Sequence, residues 1–259
     1  MARIRVHEGR EFTTEFVNLS KKQVTKLSVN VNKVATLRNA RGGDHPNVVQ
    51  FAQDCQTFGA DGITVHPRPD ERHITQRDCI AIAEIITTEF NIEGFPDARY
   101  FDILKTTLPT QATLVPDGRD VITSSEGWNV TDNHDFLKNW IEKIQALGIR
   151  VSLFMETDLH QIEAAAKLGV ERIEFYTGPF AEAFPTNPSC VQPYVEACDF
   201  ALSLGLKINA GHDLSLENLA FFKSSLTQLD EVSIGHALIS DALYFGIENT
   251  IQMYKRKLK

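Results

Sequence analysis

The stretch ITVHPRPDERH, Ile63 to His73, closes a hydrophobic run with His66, Arg68, Arg72 and His73, and places Pro67 and Pro69 among them. Each proline fixes its own φ and drives the preceding residue into the extended region, so no helix starts there. In an extended chain, residues two apart share a side at roughly 6.5 Å, which would aim His66 and Arg68 at one small molecule. That spacing offers a base beside an anion clamp. The alternative is a solvated loop with incidental charge.

A second cluster is NKVATLRNARGG, Asn32 to Gly43, which carries Lys33, Arg38 and Arg41 and no acidic residue in a chain of formal charge −8. Arginine takes phosphate oxygens bidentately, and the Gly42-Gly43 pair lets backbone amides approach an anion, so phosphate is the expected guest. The other reading is a basic loop that is solvated or paired with surface carboxylates. A further phosphate position is Gly235-His236, where a helix follows the last strand run. Histidine suits proton transfer near neutrality, and a carboxyl in a cleft can be tuned toward that range. His66, Glu93 and His212 are therefore candidates for successive proton transfers, and Glu174 for balancing a cationic iminium. Together these residues point to proton shuffling on phosphorylated carbonyl compounds.

Such residues need a scaffold that gathers them, and the chain repeats one unit from Lys26 onward. A β-branched run is followed by a polar turn and then by helical spacing of apolar residues. The strand runs are KLSVNVN (Lys26 to Asn32), DGITVHP (Asp61 to Pro67), FNIEG (Phe90 to Gly94), QATLVPD (Gln111 to Asp117), RVSLFME (Arg150 to Glu156), RIEFYTG (Arg172 to Gly178), LKINAGH (Leu206 to His212) and EVSIGHA (Glu231 to Ala237). Gly59, Gly148, Gly169 and Gly205 fall where helix C-caps are wanted, and Asp158 and Ser215 where helices should start. This pattern predicts a (β/α)₈ TIM barrel over residues 26–259, preceded by an extension of unknown role over residues 1–25. An open doubly wound sheet fits less well, because no GxGxxG follows the first run and polar residues end nearly every strand.

In a barrel the strand C-termini form one mouth. Asn30, Asn32, Lys33, His66, Arg68, Glu93, Thr123, Glu174, Thr177, Asn209, His212, Gly235 and His236 are expected there. Inward strand positions are usually apolar, so a Glu or His among them requires a partner or water.

With 42% hydrophobic and 23% charged residues the chain can bury a large core, and its acidic balance argues against a general nucleic-acid binder. No apolar run is long enough to cross a membrane, and Glu8, Glu11 and Glu15 weaken a transit-peptide reading of the first residues. Cys55, Cys79, Cys190 and Cys198 show neither a CxxC pair nor zinc spacing, which predicts buried, reduced thiols in a cytoplasmic protein.

ATLRNARG (Ala35 to Gly42), GADGITVH (Gly59 to His66), RHIT (Arg72 to Thr75), FNIEG, VSLF (Val151 to Phe154), AGH (Ala210 to His212) and SIGHALI (Ser233 to Ile239) resemble the pyridoxine 5'-phosphate synthase family of vitamin B6 biosynthesis. The resemblance implies a barrel that condenses 3-amino-2-oxopropyl phosphate with 1-deoxy-D-xylulose 5-phosphate to pyridoxine 5'-phosphate, inorganic phosphate and water. It implies bases at His66 and Glu93, a proton donor at His212 and support of charged intermediates by Glu174. Binding roles carry over to Asn30, Arg41, Gly235 and His236 for the aminoketone phosphate, and to Arg68, His73 and Thr123 for the deoxyxylulose phosphate. Homo-oligomers, often octamers, and no metal or organic cofactor are expected. Two departures from the family pattern stand out, over three positions. Asn32 and Lys33 stand where Asp-His is common, and Asp213 replaces a small residue, either orienting His212 or capping the next helix. The rival readings are a Schiff-base aldolase using Lys33 or Lys207, metal-assisted hydrolysis, and a sugar-phosphate binding barrel without catalysis.

Overall fold

The computed structural model describes residues 24–116 and 126–259. The strands are β1 (Lys26–Asn30), β2 (Gly62–Val65), β3 (Glu89–Gly94), β4 (Gln111–Leu114), β5 (Arg150–Met155), β6 (Arg172–Tyr176), β7 (Lys207–Gly211) and β8 (Glu231–Ile234). They close in sequence order into a parallel barrel, with β1 paired to β8. Each of the eight strand runs is thus present, and every strand but β3 stops short of the end of its run.

The helices on the outside are α1 (Asn32–Asn39), α2 (Val48–Thr57), α3 (Gln76–Ile85), α4 (Ala98–Thr107), α5 (His134–Gln145), α6 (Leu159–Lys167), α7 (Gly178–Ala183), α8 (Gln192–Ser203), α9 (Leu219–Ser225), α10 (His236–Phe245) and α11 (Ile247–Lys257), with a 3₁₀ turn over Pro188–Val191. Gly59, Gly148, Gly169 and Gly205 take φ of 96°, 77°, 76° and 83°, which a Cβ would oppose, and each returns its chain to a strand. Asp158 caps α6 by accepting from the backbone amides of His160 and Gln161. Ser215 does not cap a helix directly. Its hydroxyl accepts from Glu217 N, and α9 begins a turn later, behind Asn218.

Strand alternation divides the barrel wall. One side supplies Leu27, Val29, Ile63, Val65, Ile92, Leu153, Ile173, Phe175, Ile208 and Val232, all fully buried in one apolar cluster with the helices. Each such side chain contributes about 1.5 to 3 kcal/mol. The alternate positions are Ser28, Thr64, Asn91, Thr113, Ser152, Glu174, Asn209 and Ser233, also buried. The expected apolar interior is therefore a polar one, linked across strands: Ser28 Oγ to Thr64 Oγ1 at 2.7 Å, Thr113 Oγ1 to Asn91 Oδ1 at 2.9 Å and Arg172 Nη1 to Asn209 Oδ1 at 2.9 Å. The apolar core sits between barrel and helices, which leaves the lumen to polar groups.

The cysteines are all free, with Cys55, Cys79 and Cys198 buried and Cys190 partly exposed. Among the described residues no helix is long and apolar enough to cross a membrane. The predicted extension lies almost wholly outside the described residues, and Thr25 at its end donates to Leu229 O at 2.8 Å.

Candidate active site

The first corner of the mouth is built by asparagines. Asn30 ends β1, and its Oδ1 accepts from Asn32 N at 3.1 Å. Asn32 opens α1, and its own Oδ1 accepts from His66 N at 2.9 Å. These bonds tie the ends of β1 and β2 together, so Asn32 acts on the site through His66. Gly235 lies opposite, where an added Cβ would stand 3.2 Å from the Asn30 side chain. It precedes α10, whose first amides carry no side-chain cap, as a phosphate position requires.

The segment after β2 is not extended. Arg68 N donates to His66 O at 2.9 Å, a γ-turn about Pro67, and Glu71 N returns to Arg68 O at 3.0 Å. The turn keeps His66, Arg68 and His73 together and buried. The His66 and His73 rings pack edge to face with centroids 6.4 Å apart. Burial, then the Arg68 charge, push the His66 pKa well below its usual value. The same causes carry His73 down to about 4. His73 Nδ1 accepts from Ile74 N at 2.8 Å, which leaves Nε2 as its proton-bearing atom.

Glu93, near the end of β3, places Oε2 3.7 Å from His66 Nδ1. That is too long for a hydrogen bond, and with the imidazole neutral the two do not form an ion pair. A neutral imidazole thus stands beside a carboxyl. Glu174 on β6 is buried, and one of its oxygens, Oε2, has no hydrogen-bond partner. Burial, then the charges of Glu93 and Glu231, raise its pKa well above the carboxylate range. Burial thus favours the protonated form of this carboxyl over the anion expected beside an iminium. It becomes a counter-charge only when a cation forms near it.

His212 follows β7 at φ 79° and is 24% exposed at its side chain. Its ring meets Tyr176 edge-on at 5.1 Å, and its Nδ1 lies 2.8 Å from Asp213 Oδ2. Of the two roles open to Asp213, the structure shows its carboxylate on the imidazole. Gly211 leaves room for Glu174, whose carboxyl an added Cβ would strike.

Several expectations change. Arg38 is no phosphate ligand. It is buried on α1 and grips Asp78 through two bonds of 2.6 and 2.8 Å, and it donates to His73 O at 3.1 Å. Gly42 N closes α1 on Arg38 O, so that amide is also taken. The basic segment is mostly helix, and Arg41 sits exposed just beyond its end. Lys33 is exposed at the mouth, close enough to bear on both His73 and Asp213. Lys207 is exposed at the start of β7, the end of the barrel away from the mouth, which removes it as a Schiff-base lysine. Asn209, in register with Glu174 on the neighbouring strand, is buried in the lumen, where Arg172 donates to it. Thr123 falls outside the described residues.

Sequence reading missed Asp78, Tyr176 and Asn218. Tyr176 was accessible to it, two residues beyond Glu174 on one strand and hence on the same side. Among the described residues no group of three or more His, Cys, Asp or Glu could hold a metal ion.

A closed parallel barrel that gathers a neutral histidine, carboxyls and an uncapped helix N-terminus is a (β/α)₈ barrel with a candidate enzyme site. Solved structures agree on the fold alone: phosphoribosylanthranilate isomerase from Thermotoga maritima superposes with a TM-score of 0.56 at 13% identity, over 90% of this chain and 98% of that one. The isomerase from Thermus thermophilus gives 0.57 at 11%, over 90% and 98%. Residues 27–259 match the family described as "Pyridoxal phosphate biosynthesis protein PdxJ". Similar proteins named "Pyridoxine 5'-phosphate synthase" occur in Parabacteroides distasonis, 57% identical over 90% of this chain and 98% of that one, and in Porphyromonas gingivalis, 56% identical over 91% and 99%. The chain belongs to the PdxJ family, and it is an enzyme of vitamin B6 biosynthesis.

Proposed function

We propose that this enzyme is a pyridoxine 5'-phosphate synthase that condenses 3-amino-2-oxopropyl phosphate with 1-deoxy-D-xylulose 5-phosphate, releasing inorganic phosphate and water. The observation that carries the mechanism is the His66–Glu93 pair, a buried neutral imidazole 3.7 Å from a carboxyl at the mouth. The amine of the aminoketone attacks the ketose carbonyl and loses water to give an imine. His66 and Glu93 then take carbon-bound protons as phosphate leaves and the ring closes. Neutral His66 can accept a proton at once, because no prior deprotonation is needed. Glu174 gives its proton to the hydroxyl that departs as water when the iminium forms, and so places a negative charge beside it. His212 protonates the departing oxygen.

Asn30, Gly235, His236 and Arg41 bind the aminoketone phosphate in this reading. Arg68, His73, Lys33 and Thr123 bind the deoxyxylulose phosphate. The Arg68 charge, which adds to burial in keeping His66 neutral, thus doubles as an anion clamp. Reduced cysteines support a cytoplasmic location. Val34, Leu37, Phe51, Ile239 and Leu243 line an apolar groove beside exposed Tyr244, which supports a homo-oligomer. Sedimentation should then show Leu243→Glu with a smaller assembly than the parent.

Mixing the purified protein with both substrates should produce pyridine absorbance and phosphate in step. Phosphate release without a chromophore would reject the synthase reading. A lysine adduct trapped by borohydride would favour the aldolase through Lys33.

A further inference from the structure

The corner after β7 holds two consecutive residues with side chains in the left-handed region, His212 at φ 79° and Asp213 at φ 60°. Such backbone costs of order 1 to 3 kcal/mol per residue and persists where surrounding contacts enforce it. Here they do. Thr177 Oγ1 lies 2.7 Å from Gly211 O and also against His212 O. Buried Asn218 donates to Asp213 O at 3.2 Å and accepts from Ser215 N at 2.8 Å. Glycine would make the same turn without strain. A carboxylate is retained instead, and it lies 2.8 Å from His212 Nδ1.

We infer that Asp213 is a positioning residue: it holds a proton on His212 Nδ1, so that Nε2 alone exchanges protons with the substrate. A carboxylate can only accept at this contact, so the shared hydrogen belongs to the imidazole. The neutral ring is then the Nδ1–H form, with a lone pair on Nε2. When Nε2 gains a proton, the imidazolium keeps its counter-charge at hydrogen-bond distance. The groups that face this pair are Tyr176 from β6, against the ring, and His236 from α10 and Lys33 from α1, which act on the carboxylate. The hydrogen bond to His212 is the main cause that lowers the Asp213 pKa, with His236 and Lys33 adding to it. Burial opposes them. Lys33 thereby gains a role without acting as a nucleophile.

The inference rests on His212 as the proton donor of the synthase reaction, but its first test does not. Nitrogen-15 NMR of the resting enzyme, with the His212 signal assigned by its loss in His212→Asn, should show the Nδ1–H tautomer. Asp213→Gly keeps the backbone at ease and should shift the neutral ring to the Nε2–H tautomer, which imidazole prefers in water. Asp213→Asn can still accept from Nδ1 and should keep the tautomer while losing the charge. In both variants kcat should fall about 10- to 100-fold with KM little changed, less than the roughly 10² to 10⁴ expected for loss of a general acid. An Nε2–H tautomer in the parent protein, or one unchanged in Asp213→Gly, overturns the inference. A parent protein with the Nδ1–H tautomer but no pyridoxine phosphate formation would leave Asp213 as the orienting group and reject the reaction.

Discussion

The two ends of the barrel spend their charges differently. At the base, Glu89 is bonded to both Lys26 and Arg150, Arg150 Nε also donates to Gln111 at 2.9 Å, and Arg172 Nη1 lies 3.6 Å from Glu231. At the mouth, His66 and Glu93 stand apart at 3.7 Å, Glu174 keeps an unpartnered oxygen and His73 spends only Nδ1 on the backbone. These base charges are paired with one another, whereas Glu174 Oε2 and His73 Nε2 are left able to meet a ligand. That difference separates folding from chemistry within one set of strands.

The largest expected effect breaks the mouth alone. His66→Asn and Glu93→Gln should each lower kcat by about 10² to 10⁴ while thermal unfolding stays within a few degrees of the parent. Near-normal turnover in either variant would remove that side chain from the mechanism. The next joins the two functions. Arg38→Ala removes the cation paired with the buried Asp78 carboxylate and one of the two donors to the carbonyl of His73, and should cost about 3 kcal/mol in urea unfolding, with a raised KM for the deoxyxylulose phosphate. A variant that unfolds at the parental urea concentration would show that the pair does not hold the rim.

A smaller effect belongs to the base. Burial alone would raise the Glu89 pKa, but the bonds to Lys26 and Arg150 carry it down to about 2 from a usual 4.5. Its stabilisation is therefore present above pH 4.5 and is lost as pH falls toward 2. Glu89→Gln should lose about 1 to 2 kcal/mol at pH 7, allowing for solvent screening, with activity kept. The gap should close in acid. A gap independent of pH would point to packing instead. The smallest is a shift that should not occur: the His66 ring signal should stay in its neutral position as pH is lowered through 6.5, while an exposed histidine titrates. Since unfolded histidine takes a proton there, stability should decline below that pH. Titration of His66 near 6.5 would contradict its burial.

Much of this was legible locally. β-branched runs and C-capping glycines marked eight strands, and the polar end of each run named the mouth residues that converge, His66, Glu93, Glu174 and His212 among them. Arg38 was misread because its partner, Asp78, lies on another helix, so nothing in the basic segment shows that its charge is already taken. The turn at Pro67 was misread because proline permits both extended and γ-turn backbone, and the bond from Arg68 to His66 chooses between them.

Sequence alone determined the alternation of strand and helix, the order of the mouth residues and the family, since each depends on patterns carried by short contiguous segments. Tertiary structure decided the polar lumen, the neutrality of His66, the raised pKa of Glu174 and the pairing of Asp213 with His212. Desolvation and Coulomb interactions depend on distance in space, and barrel closure sets those distances among residues far apart in the chain.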